Sequence, residues 1–597
     1  MVRPNRRELL VGAGGAAALG MLGLLGGGCS RHAGKDPRLA GRKTGKFADW
    51  SLISPRDRLF DTKRTDVVII GSGYGGAVTA ARLAAAGAKV VVLERGHEWL
   101  PGDFPETLSE LMGSARSVDA MGLFDLYTPT ESDLDLVSAS GIGGTSLINA
   151  AISTRPEPLV LAQPEWPDAI RGAATDGSLT RYYDRASEVL SPNAYVGPDP
   201  MKVEMHRFLS GQRKASFSYL PLNITYKDTM RGDPRWPVQG HECSLCGNCT
   251  TGCNVGAKGT LQTNYLPRAR AAGALLFAGI DVDRVEKHRS RWRVHYHALT
   301  ETSREARTID ADHVIVAGGS LGSTEILMRS AAAGLAISQL LGTRVSANGD
   351  MFGFCYDGDR QTNLVGEPAS GASGTVGNAL MSYIDYRGDH ALGPELQDHF
   401  LLLESTIPVS VANTTTKALA AYALAMPDKF SEDQLDRARR DLANPDTHDP
   451  DGALAYSTLY LACGHDDSNG RYIYRNGDRP RISWNAVSAS RFYKTITAEM
   501  QAYTTARNGF FIENPRTTLF NGRLIVPHPL GGVPMANDIR TGVVDDRGRV
   551  FDPAGPPTAV HRGLHVLDGS IIPRSLGVTP LLTISALAER ASEHLRD

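Results

Sequence analysis

Short β-branched apolar runs recur along this chain, each closing in small residues and each leading into a helix-prone stretch. Val67 to Ile70 is the first, with Gly71, Gly73 and Gly76 directly behind it. Ala77 to Ala86 is alanine-rich and favours a helix, Gly87 supplies its stop, and Lys89 to Leu93 predicts a second strand ending at Glu94. Val314 to Val316 leads through Ala317-Gly318-Gly319-Ser320 into a helix-like Leu321 to Ser330. Leu564 to Leu567 leads into Asp568-Gly569-Ser570, and Pro580 to Arg590 reads as a helix start with an apolar face. Strands and helices in this alternation predict an α/β fold with a parallel sheet. Ala274 to Ala298 instead alternates apolar with polar residues, as strands with one wet face do, so the sheet domain is interrupted and resumed.

A second pattern occupies the middle of the chain. Phe400 to Leu403 and Arg471 to Tyr474 predict strands, Lys417 to Ala425 and Ser431 to Leu442 predict helices, and the polar breaks Asn413 to Thr416 and Asn444 to Gly452 predict loops. At 597 residues the chain exceeds what one core organises. The pattern divides it into a discontinuous Rossmann-like domain at 63–165, 241–345 and 520–597 and a sheet-containing substrate domain at 166–240 and 346–519. The polar stretch 30–62 reads as a tether.

Charge excludes one class of partner and the N-terminus suggests another. With 63 basic and 65 acidic residues there is no electrostatic footprint for nucleic acid. Residues 1–29 read as an export signal, because Arg6-Arg7 precede the uncharged Gly/Ala/Leu-rich run Val11 to Gly28. The paired arginines and glycine-loaded core resemble a twin-arginine signal, which exports folded proteins. Cys29 closes the run and is a candidate for lipidation, so the expected destination is secreted, periplasmic or, if Cys29 is lipidated, the cell surface. A single spanning anchor is the competing reading, and the glycine content opposes it.

The candidate chemistry lies in five places. The turn Gly71-Ser72-Gly73-Tyr74-Gly75-Gly76 has the G-x-G-x-x-G spacing, in which glycines permit a tight turn, approach to a pyrophosphate and close packing of helix on strand. Glu94, at the end of the second strand, offers a carboxylate to ribose hydroxyls and would repel a 2'-phosphate. The loop Ser140 to Ala150, with Gly143, Gly144, Thr145 and Asn149, is small enough to lie against a ring system. His528, in Val526-Pro527-His528-Pro529-Leu530-Gly531-Gly532, can exchange a proton near neutral pH. Finally, Cys243, Cys246, Cys249 and Cys253 share the spacing of a bacterial ferredoxin ligand run, with Asn254 where that run has proline. An iron–sulfur cluster, two disulfides, and zinc or free thiols all remain open for them.

Together the Gly71 turn, the Gly143-Gly144 loop, Ala317 to Ser330 and the block from His528 to Arg590 resemble the glucose-methanol-choline (GMC) oxidoreductases, most of all their bacterial cholesterol oxidase branch. The resemblance implies an FAD domain split along the chain, a substrate domain whose sheet covers the flavin, and oxidation of an alcohol by hydride transfer. It implies that Gly71 to Gly76 and Glu94 hold the ADP half of FAD, that Gly143 to Asn149 line the flavin, and that Val282 touches adenine. It further places Asp568, Gly569, Pro580 and Leu581 at the ribityl chain and pyrimidine end, and His528 and Thr579 at the reacting hydroxyl. Thr579 stands where that branch has asparagine, and Glu404 and Asn413 align only loosely with its isomerisation carboxylate. The expected substrate is a hydrophobic, sterol-like alcohol, with oxygen or another electron acceptor. An FAD dehydrogenase of sugars or polyols using the cysteine site and a non-catalytic flavin- or lipid-binding lipoprotein are the alternatives.

Overall fold

The computed structural model describes residues 46–595, apart from 118, 129–131, 133, 230–236, 301, 476–478, 485–489 and 514–523. The proposed signal and Cys29 lie outside the described residues. An eight-stranded sheet centres the first lobe, its spine running in spatial order through Arg549–Phe551, Val560–Val566, Arg304–Val316, Arg64–Ile70, Val90–Leu93 and Leu275–Phe277. Every pairing along this spine is parallel except that of the first two strands. Parallel strands need both faces covered, and the continuous apolar runs satisfy that: all of Val90–Leu93 is buried. Ile280–His288 and Arg291–Leu299 form an antiparallel ribbon on Arg304–Val316, which explains their alternating pattern.

The second lobe is a six-stranded antiparallel sheet ordered Phe510–Glu513, Met351–Tyr356, Thr458–Cys463, Phe400–Ser405, Ser382–Tyr386 and Ser216–Tyr219. Its two central strands are buried throughout. A small sheet in which Leu524–Val526 runs parallel to Leu134–Ala139 delivers the chain to His528.

Three expectations are corrected. Within the supposed tether, residues 46–62 are packed: Phe47, Trp50, Leu52, Ile53 and Leu59 are buried, and the Arg56 guanidinium donates to the carbonyls of Leu299, Ala278 and Gly279. Charged residues interleaved with these large apolar ones gave the stretch its polar average. Residues 166–190 belong to the first lobe, because Tyr182, Tyr183, Ala186, Val189 and Leu190 form a buried stripe on the helix Thr180–Leu190 that packs against the helix Leu581–His594. Asn413 to Thr416 is no loop but part of the helix Val409–Leu424, where the Thr416 hydroxyl donates back to the Ala412 carbonyl at 2.8 Å.

Candidate active site

The glycine turn is packed on three of its four glycines and open on the fourth. A Cβ on Gly71, which sits at φ +96°, would lie 2.3 Å from the Ala317 carbonyl oxygen. One on Gly75 would meet the Leu567 carbonyl oxygen at 1.5 Å, and one on Gly76 that of Gly71 at 2.1 Å. Close backbone approach, from neighbouring strands for Gly71 and Gly75 and within the turn itself for Gly76, therefore requires these three. A Cβ on Gly73 would meet nothing within 4 Å, so this residue faces open space at the N-terminus of the helix Tyr74–Ala85. Free N–H groups and small size there suit an anionic pyrophosphate.

Glu94 ties this turn to the second glycine loop. Its Oε2 accepts from the N–H (3.0 Å) and hydroxyl (2.8 Å) of Ser72, and its Oε1 from the N–H groups of Gly96 (3.1 Å) and Gly141 (3.2 Å). The Ser72 hydroxyl has a second acceptor in the Gly141 carbonyl at 3.2 Å, so a ribose hydroxyl can take its place on Glu94. Gly143 N–H in turn donates to the Ser72 hydroxyl at 2.9 Å. Beyond it, Gly144 to Leu147 forms a single 3-10 turn containing Thr145, and the Asn149 amide donates to the Tyr74 hydroxyl at 2.8 Å. Burial pushes the Tyr74 phenol well up, so it stays protonated. Gln262 packs beside Gly143 with its Nε2 buried and unpartnered. An open glycine, an orphaned amide donor and an adjustable ribose acceptor fit a dinucleotide such as FAD. Val282 is buried at the bulge of its strand, two residues past Ile280, whose N–H donates to the Glu94 carbonyl at 2.8 Å.

The C-terminal block closes over the same turn. Asp568 accepts from the N–H (2.9 Å) and hydroxyl of Ser570 on one oxygen, and from Gly319 N–H (2.8 Å) and the Ser323 hydroxyl on the other. Burial raises its pKa while these donors lower it. Asp568 thus organises the turn and the start of the helix Gly319–Ala332, and both its oxygens are engaged by protein. Gly569 accepts the N–H of Gly531 at 3.0 Å, and Pro580 caps the helix that begins at Leu581. The glycines after His528 have their own reason. A Cβ on Gly531 would lie 1.8 Å from the Arg344 carbonyl oxygen, and Leu530 exchanges two 3.0 Å backbone hydrogen bonds with Ser346. The loop is thereby fixed between the two lobes.

His528 has a partner that the sequence did not disclose. Its backbone N–H donates to Asp350 Oδ2 at 3.0 Å, and its Nδ1 lies 3.0 Å and 3.1 Å from Asp350 Oδ1 and Oδ2. Asp350 is fully buried, and the Cys463 thiol, itself pushed well up by burial, donates to it at 3.5 Å. An ionised carboxylate only accepts, so Nδ1 carries the ring proton and Nε2 keeps its lone pair. Asp350 immediately precedes the strand Met351–Tyr356, and Cys463 ends the neighbouring strand Thr458–Cys463. No motif marks either. The hint available was a polar Asn348-Gly349-Asp350 turn ahead of an apolar run.

Thr579 and the loosely aligned Glu404 each have protein partners. The Thr579 hydroxyl, buried at 6% exposure, donates its proton to the Ile152 carbonyl at 2.9 Å. Asn348 holds the same loop, donating to the Val578 carbonyl and accepting from Leu576 N–H, both at 2.8 Å. Glu404 is buried against Lys202 at 2.5 Å and accepts from Met381 and Ser382 N–H at 2.7 and 2.9 Å, while Asn413 is exposed. Cys243, Cys246, Cys249 and Cys253 line one pocket together.

GMC oxidoreductase family models match residues 65–399 and 474–588. A cholesterol oxidase of Acinetobacter baumannii is 27% identical over 89% of this chain and 94% of its own length. A long-chain-alcohol oxidase of Arabidopsis thaliana is 23% identical over 89% of this chain and 67% of its own. Among solved structures, pyridoxine 4-oxidase from Mesorbium loti superposes with a TM-score of 0.52 at 17% identity, over 89% of this chain and 99% of that one, and so shares the fold. The chain therefore belongs to the GMC oxidoreductases, and it is an FAD-dependent alcohol oxidoreductase.

Proposed function

We propose that this enzyme oxidises the CH–OH group of a bulky hydrophobic, sterol-like alcohol to a ketone, with His528 as the acid–base residue. The His528–Asp350 pair carries the reading: a ring nitrogen held by a buried carboxylate leaves the opposite nitrogen poised to take a hydroxyl proton. FAD, held by the Gly71 to Gly76 turn, Glu94 and the Gly143 to Asn149 loop, supplies the hydride acceptor when bound. The role of His528 is to take the hydroxyl proton at Nε2 as the carbinol hydride leaves. Asp350 fixes the tautomer and stabilises the imidazolium that results. The substrate class is supported by relatives that are cholesterol and long-chain-alcohol oxidases. Glu404 is ion-paired and Asn413 exposed, so neither serves as a base over a steroid ring, and the product keeps its double bond in place. Oxygen or another electron acceptor would reoxidise the enzyme. Arg6-Arg7 and Cys29 support an exported, surface-held protein.

The test is anaerobic mixing of the purified yellow protein with 3-hydroxysterols, long-chain alcohols and sugars in turn. Sterols should bleach the oxidised flavin band, whereas bleaching by sugars alone would replace the substrate assignment. His528→Gln should retain FAD and reduce it about 10²- to 10⁴-fold more slowly. Unaltered reduction would remove His528 from the chemistry.

A further inference from the structure

The cysteine run folds into a pocket built for thiolates. Leu245 at φ 55°, Gly247 at φ 80° and Gly252 at φ 120° coil the chain so that Cys243, Cys246, Cys249 and Cys253 face the same space. N–H donors point at the sulfurs. Leu245 N–H lies 3.4 Å and the Asn378 amide 3.2 Å from Cys243 Sγ, and Tyr226 orients that amide by donating to Asn378 Oδ1 at 2.6 Å. The N–H groups of Asn248 and Ala379 serve Cys246 and Cys249. Such donors stabilise sulfur that carries negative charge, as at metal-bound thiolates. All four are free thiols in this structure. Four cysteines lining one pocket, with N–H donors aimed at three of them, make a ligand set for a metal centre.

A second observation joins this pocket to the flavin loop. Lys258 is buried, and its Nζ donates to the carbonyls of Leu147 (2.8 Å), Asn149 (2.9 Å) and Cys249 (2.7 Å). A buried ammonium bonded only to neutral carbonyls calls for an anion nearby, and Lys258 lines the same pocket as the four cysteines.

The Cys243-x2-Cys246-x2-Cys249-x3-Cys253 spacing, that of an iron–sulfur ligand run, selects the occupant. We propose that Cys243, Cys246, Cys249 and Cys253 bind a [4Fe–4S] cluster as thiolates, with Lys258 as the compensating cation between the cluster and the Leu147 to Asn149 loop.

The test does not depend on the substrate or on flavin reduction. Full-length protein purified anaerobically should contain about four iron and four acid-labile sulfide per chain and give an electron paramagnetic resonance signal after dithionite reduction. Cys246→Ser should lose most of that iron while keeping its far-ultraviolet circular dichroism. Iron-free wild-type protein would overturn the proposal, whether mass spectrometry after alkylation then finds two disulfides, bound zinc or four free thiols.

Discussion

Asp350 and Glu404 are both fully buried carboxylates, one just ahead of a strand of the six-stranded sheet and the other within it, and each faces one basic side chain. They differ in what the base has left over. Lys202 is buried with Glu404 at 1% exposure, and Glu404 also receives two backbone N–H groups, so that pair closes on itself. His528 keeps a side chain 15% exposed and a second ring nitrogen after Asp350 has taken the first. A buried charge is thus no sign of chemistry here. The sign is a proton-transfer atom remaining after every structural hydrogen bond has been assigned.

Removing one acid from each pair should separate the two roles. Asp350→Asn puts a donor beside Nδ1 and favours the ring tautomer with its proton on Nε2, where the base must act. Anaerobic flavin reduction should slow by about 10²- to 10⁴-fold, with FAD content and apparent substrate affinity kept. A change in affinity alone would make Asp350 a scaffold residue like Glu404. Lys202→Met should instead cost about 3–5 kcal/mol of stability, read as a lower midpoint in urea, because it leaves Glu404 buried and uncompensated. Flavin reduction per folded molecule should not change. Lys202→Met with Glu404→Gln should recover most of the loss, since glutamine still accepts from Met381 and Ser382. If the double variant is as unstable as the single one, the loss is one of packing.

The same contrast explains what was legible in the sequence. The Gly71 turn, Glu94 and the block from His528 to Leu581 stand out because backbone close approach and helix caps demand particular residues at fixed spacing. Carbonyl oxygens lie 1.5 to 2.3 Å from the positions that side chains on Gly71, Gly75 and Gly76 would take, and no other residue fits. Asp350, Cys463 and Lys258 have no local signature. Their roles come from pairing across the sheet and between lobes, with His528 178 residues from Asp350. The polar stretch 46–62 misled for the converse reason, since averaged hydropathy hides five buried apolar residues among charges.

Thr579 gives the smallest and most discriminating effect. Its position next to Pro580 suggested contact with the reacting hydroxyl, yet its proton is already held by the Ile152 carbonyl. By the criterion that separates the two carboxylates, Thr579 falls on the side of Glu404. Thr579→Val keeps the shape and removes that bond, which should cost about 1 kcal/mol of stability and leave the rate of flavin reduction within about threefold of wild type. A rate lowered by 100-fold or more, at unchanged FAD content, would mean that the hydroxyl turns from Ile152 to the substrate during turnover. Hydrogen bonds assigned in the resting protein would then be an insufficient guide to which atoms react.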